Sequence, residues 1–87
     1  MTEVVNLRTH EYDVLIARPS KWANPFRIEG RVTREQAIAM YETYIRRRPD
    51  LIAALPELAG KRLGCHCRPL PCHGDVLIRL LHEYHGL

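Results

Sequence analysis

All three cysteines of this chain, Cys65, Cys67 and Cys72, fall within eight consecutive positions, and His73 directly follows the last of them. Thiolate and imidazole are the groups a tetrahedral zinc ion prefers, and three of one with one of the other form a familiar closed set. On an extended chain Cys65 and Cys67 project to the same face. Their Cα atoms would then lie about 7 Å apart, at the limit for a disulfide but within easy reach of metal bonds of about 2.3 Å. Pro69 and Pro71 stiffen the return to Cys72. The expectation is a zinc site made by Cys65, Cys67, Cys72 and His73; an iron–sulfur cluster could use the same thiols but needs more assumptions. The spacing Cys-x-Cys-x4-Cys-His differs from paired Cys-x-x-Cys knuckles, so the metal reading rests on residue type and crowding.

Position suggests a second chemistry. Cys72 falls at the start of a helix, where the dipole and free amides lower a thiol's pKa and attract anions. Cys72 would then be a nucleophile assisted by His73 or Asp75, with Arg68 or Arg18 holding an anionic substrate related to nucleotides or nucleic acid. Asp75 equally suits a plain helix-start acid. The bland alternative treats each buried cysteine as a small hydrophobe, which three clustered cysteines beside a histidine make less economical. His66 alternates away from Cys65 and Cys67 and reads as a packing or surface residue. His82 and His85 sit at an exposed helix end, and His10 lies in a loop.

These residues need elements to position them. Val4 to Arg8 and Asp13 to Ala17 read as short β-branched or apolar strands. Arg18 to Phe26, punctuated by Pro19 and Pro25, reads as irregular, and Phe26 to Glu29 as a brief optional strand. Thr33 and Gln36 match a capping box. Ala37, Met40, Tyr41, Tyr44 and Ile45 then make an apolar helical stripe. The run Arg46-Arg47-Arg48 suits the helix's negative end, and Pro49 stops it. A second, shorter helical stretch over 50–59 is interrupted at Pro56 and closed by Gly60. Leu63-Gly64-Cys65 reads as a strand entering the interior. A last helix runs from Pro71 or Cys72 to Tyr84, with Val76, Leu77, Leu80, Leu81 and Tyr84 inward. The order β-β-(β)-α-α-β-α fits an α/β fold, a short mixed sheet with helices packed on it.

With 87 residues the chain reads as one domain spanning 1–87, whose modest core would gain from a staple such as a metal. No apolar run reaches membrane-spanning length and no signal peptide is evident, so a cytoplasmic location is expected. An odd cysteine count argues against a secreted disulfide framework. All but two of the thirteen basic residues are Arg, and the net charge is +3, which permits an anionic partner without demanding one.

Several segments together resemble the domain of unknown function 4326 family of phage and bacterial proteins. They are Val5-Asn6-Leu7-Arg8, Tyr12-Asp13-Val14, Arg18-Pro19-Ser20-Lys21-Trp22-Ala23-Asn24-Pro25-Phe26, Leu63-Gly64-Cys65-His66-Cys67 and Pro71-Cys72-His73-Gly74-Asp75. The chain departs from that pattern at Ala23, where the family has Gly, and at His66, where it has an aromatic residue. The ending is also similar, more briefly, to the domain of unknown function 488 family. Neither resemblance carries an activity. The family pattern draws attention to the 18–26 loop. Arg18, Ser20, Lys21 and Asn24 can contact phosphate or a base edge, and Trp22 or Phe26 can offer a stacking face. In the structural alternative Trp22 plugs the core and Asn24 caps a turn.

The leading expectation is therefore a zinc protein with a basic pocket for an anionic, nucleotide-like ligand. The alternatives are a cysteine-dependent enzyme, and a phage accessory protein that binds a host protein in the host cytoplasm.

Overall fold

Three parallel strands carry the site, and the last of them in sequence lies at the centre. The computed structural model describes residues 1–87. Its strands are β1 (Glu3–Asn6), β2 (Val14–Leu15) and β3 (Arg62–Cys65), in sheet order β1-β3-β2. β3 pairs in parallel with both neighbours, Val4 and Val14 each standing opposite Leu63. The sheet is thus wholly parallel rather than mixed. A physical reason lies at Gly64. The link from β1 to β2 must travel back along the strand direction, and it crosses the face of β3 as it does so. A Cβ at Gly64 would stand 2.7 Å from the Tyr12 ring, so only glycine lets that crossing lie flat.

The helices are α1 (Arg34–Arg46), α2 (Pro49–Ala54) with a 3-10 turn over Leu55–Leu58, and α3 (His73–His85). α1 starts at the expected capping box: Gln36 N–H donates to Thr33 Oγ1 at 3.1 Å, and Thr33 N–H donates to Gln36 Oε1 at 2.9 Å. Leucine and isoleucine side chains from the helices and the 3-10 turn close over Leu63 of β3, and Ile16 and Trp22 complete the core. No helix is long and apolar enough to cross a membrane.

Three local expectations change. Residues 26–29 form no strand; the Phe26 ring instead meets Tyr44 edge-on at 6.2 Å. Met40 and Tyr84, expected inward, are 40% and 45% exposed. The apolar stripe of α1 narrows to Ala37, Tyr41 and Ile45, and the Tyr84 ring packs under the Arg46 guanidinium.

Candidate functional site

The carboxyl ends of β1, β2 and β3 and the start of α3 meet at one edge, where open parallel α/β sheets generally place ligands. β1 ends at Asn6, whose Nδ2 donates to the Arg68 carbonyl at 2.8 Å and so ties the first strand to the cysteine loop. The first turn of α3 seats closely on the sheet because position 74 has no side chain. A Cβ there would stand 2.6 Å from Val4 Cγ2 and 2.9 Å from Ile16 Cδ1.

Cys72 caps α3. Its Sγ accepts from Gly74 N–H at 3.3 Å, and Asp75 returns the favour by accepting from Cys72 N–H at 3.2 Å. Cys65, at the end of β3, meets it with the two sulfurs 3.4 Å apart. Both residues are buried, at 1% and 2% exposure, and all three cysteines are free thiols. Cys67 is half-buried at the edge of the same core.

The expected convergence of four donors does not form. No three Cys, His, Asp or Glu side chains are arranged to hold a metal ion. His73 is the reason on one side: its Nε2 lies 2.7 Å from the Ile16 carbonyl and its ring stands edge-on to Tyr41 at 4.9 Å. A carbonyl can only accept, so Nε2 carries the proton. The imidazole locks the end of β2 to α3. Asp75 does not orient it, because its carboxylate is engaged by Cys72 N–H and by the Arg68 guanidinium. Arg68 also donates to the Val4 carbonyl at 3.4 Å, so it braces the loop against β1.

The electrostatics single out the sulfur pair. The Cys65 thiol is drawn down to about 6, chiefly because the Cys72 S–H donates to its thiolate; burial opposes this, and the Arg68 and Cys67 amides and the Arg68 charge assist. Cys72 is correspondingly pushed up, since its proton is held between two sulfurs and burial disfavours a second charge. The pair therefore gives up its first proton more readily than an isolated buried thiol, because the S–H that remains hydrogen-bonds to the new thiolate. Burial lowers the His73 pKa and keeps the ring neutral. Burial pushes the Asp75 carboxyl up, but Arg68 and the Cys72 amide outweigh it and hold the group below the usual carboxylate range.

The model of the domain of unknown function DUF4326 matches residues 3–83. The chain belongs to the DUF4326 family. Among its relatives is an Enterobacteria phage T4 protein, the "Uncharacterized 12.4 kDa protein in nrdA-td intergenic region". It is 36% identical over 87 residues, with 95% of this chain and 80% of the phage protein covered. "Uncharacterized protein R718" of Acanthamoeba polyphaga mimivirus is 39% identical over 69 residues, covering 70% of this chain and 52% of the viral protein. No solved structure matches.

The 18–26 loop of this DUF4326 chain divides between two roles. Arg18, Ser20, Lys21 and Asn24 do come together, around an open depression of about 410 Å³. Trp22 does not join them. It is 2% exposed, and its carbonyl accepts from the Tyr41 hydroxyl at 2.7 Å, so the indole plugs the core. Asn24 is largely committed, accepting from Phe26 N–H at 2.9 Å and donating to the Ala37 carbonyl at 3.3 Å. Arg68 lies elsewhere, on a depression of about 380 Å³ that also includes Asn6 and His10. Sequence reasoning missed Asn6; an Asn closing the first strand of a parallel sheet was the available signal.

Proposed function

We propose that this DUF4326 protein works through the paired sulfurs of Cys65 and Cys72, as a site for a thiophilic metal ion, zinc foremost. The supporting observation is the 3.4 Å sulfur separation. Two thiolates on a tetrahedral zinc with bonds of about 2.3 Å stand roughly 3.8 Å apart, so the pair needs to open by only about 0.4 Å. Zinc ligation also needs thiolate, and the eased first ionisation of the pair supplies one. Cys67, two residues along the same loop, would be the third donor, and His73 is left out of the set. The burial of both sulfurs argues against a nucleotide-sized substrate reacting at Cys72.

Elemental analysis of protein purified without a metal-affinity tag tests this reading. About one equivalent of zinc is expected, protecting the thiols from alkylation and retained in His73→Gln. Less than about a tenth of an equivalent, with three freely titratable thiols, overturns it.

A second reading draws on the lack of a third donor beside the pair. The two thiols would then form a redox dithiol, reducing hydrogen peroxide to two waters while becoming the Cys65–Cys72 disulfide. It predicts metal-free protein in which peroxide consumes two thiols and spares Cys67. Consumption of all three, or of none, rejects it.

A further inference from the structure

Away from the sulfurs, two depressions adjoin on the side of the molecule formed by α1 and the 18–26 loop. One, of about 360 Å³, is lined by Phe26, Met40, Tyr44, Arg47 and Arg48 among others; the second is the 410 Å³ depression lined by Arg18 and Lys21. Tyr44 lines both and so joins them. Four basic side chains border the combined surface, and no carboxylate lines either half. Lys21 and Arg48 are already paired, with Glu57 at 3.0 Å and Asp50 at 2.9 Å. Arg18 and Arg47 have no ion pair, and each belongs to a different half of the surface. The Arg47 half also carries aromatic and apolar groups, Phe26 and Met40, the latter 40% exposed.

We infer that this surface binds single-stranded nucleic acid, with phosphates on Arg18 and Arg47 and a base against Phe26, the Tyr44 ring being already covered by the Arg48 guanidinium. The charge pattern favours a polyanion: four cations border the surface against two paired carboxylates, Glu57 and Asp50, which leaves Arg18 and Arg47 uncompensated. The aromatic floor selects unpaired bases, since stacking faces are hidden inside a duplex. Each half lies at the lower end of the size range of ligand pockets, roughly 300–1,000 Å³, enough for one nucleotide apiece. A cation in each half matches two phosphates better than one. This site is separate from the thiol pair, so it stands or falls independently of the metal reading.

Fluorescence anisotropy with a short labelled oligothymidylate tests the proposal on the full chain. Saturable binding at low salt is expected, tighter than for a duplex of equal length, with affinity falling as salt rises. Two phosphate contacts on a single strand imply a log–log salt slope of about −1.4. Arg18→Glu and Arg47→Glu should each weaken binding by about tenfold or more. Lys61→Glu, the same charge change just before β3, should weaken it far less. Phe26→Leu keeps apolar bulk but loses a stacking face, and should cost roughly fivefold or more. The melting curve of Arg18→Glu should match the parent, because that side chain has no partner to lose; Arg47→Glu, which puts an acid at the negative end of α1, should lose only a few degrees and still bind at temperatures where it is folded. The proposal is overturned if no saturable binding occurs at low salt, if duplex binds as tightly as single strand, or if Lys61→Glu weakens binding as much as Arg18→Glu.

Discussion

Replacing Cys72 by Ala separates the two jobs of that sulfur. As a helix cap it accepts from Gly74 N–H, and as a donor it stabilises the Cys65 thiolate. Loss of a cap costs about 0.5–2 kcal/mol, and a sulfur acceptor belongs at the lower end. With the small void left by the missing sulfur, a total of about 1–2 kcal/mol follows. For a chain of this length each kcal/mol moves the melting temperature by about 4–8 °C. The second job is the more telling. A hydrogen bond to a charged group contributes about 1.5–3 kcal/mol, and one pKa unit corresponds to about 1.4 kcal/mol. Removing the donor should therefore raise the Cys65 pKa by roughly one to two units from its value of about 6. Placing the change in a Cys67→Ser background leaves Cys65 as the sole thiol, whose ionisation is read from thiolate ultraviolet absorbance or from alkylation rate against pH. Cys72→Ser, which keeps both a donor and a cap, should stay within about one unit of the parent. An unchanged Cys65 pKa in the Cys72→Ala protein would refute the reasoning, and would assign the thiolate to the loop amides and Arg68 alone.

Two further perturbations probe the frame around that pair. Gly74→Ala places a methyl 2.6 Å from Val4 Cγ2, so the start of α3 must lift from the sheet. Thermal melting should show a loss of about 1–3 kcal/mol, and an unchanged or raised melting temperature would contradict the close seating. His73→Gln keeps an amide donor for the Ile16 carbonyl but removes a titrating ring. Because burial lowers the His73 pKa, below about pH 6.5 the unfolded chain binds a proton that the folded chain refuses. That contribution makes parent stability fall as pH falls, by at most about 1.4 kcal/mol per pH unit. Urea unfolding between about pH 5 and 7.5 should show the parent losing stability relative to the variant toward acid; parallel profiles would rule this out.

Local rules read much of this fold from the sequence. The Thr33–Gln36 capping box placed the start of α1, Pro56 and Gly60 divided the second helical stretch, and Leu63-Gly64-Cys65 lay in a buried strand. Those signals act within a few residues, so they survive without knowledge of tertiary contacts. What failed depended on distant partners. Met40 has helical spacing for the core, yet no element covers it, and Tyr84 finds a cation on α1 instead of the interior. At the site, clustering in sequence correctly suggested that Cys65 and Cys72 would meet. The direction of His73 was not readable, because it is fixed by the Ile16 carbonyl, 57 positions away in sequence. Arg68 looked like a free anion binder, but its partners on Asp75 and β1 exist only once the loop folds back.

The central place of β3 has a consequence for how the chain reaches this form. β1 and β2 are not paired with one another; each finds its hydrogen-bonding mates in residues 61–65. While the polypeptide is being synthesised, both edge segments emerge early and wait, unpaired, for more than forty further residues to appear. Such dependence on remote pairing is the kind that slows folding. A ribosome-bound chain halted before Arg62 should therefore remain protease-sensitive throughout its N-terminal segment, and protection should arrive abruptly once the middle of the sheet is delivered.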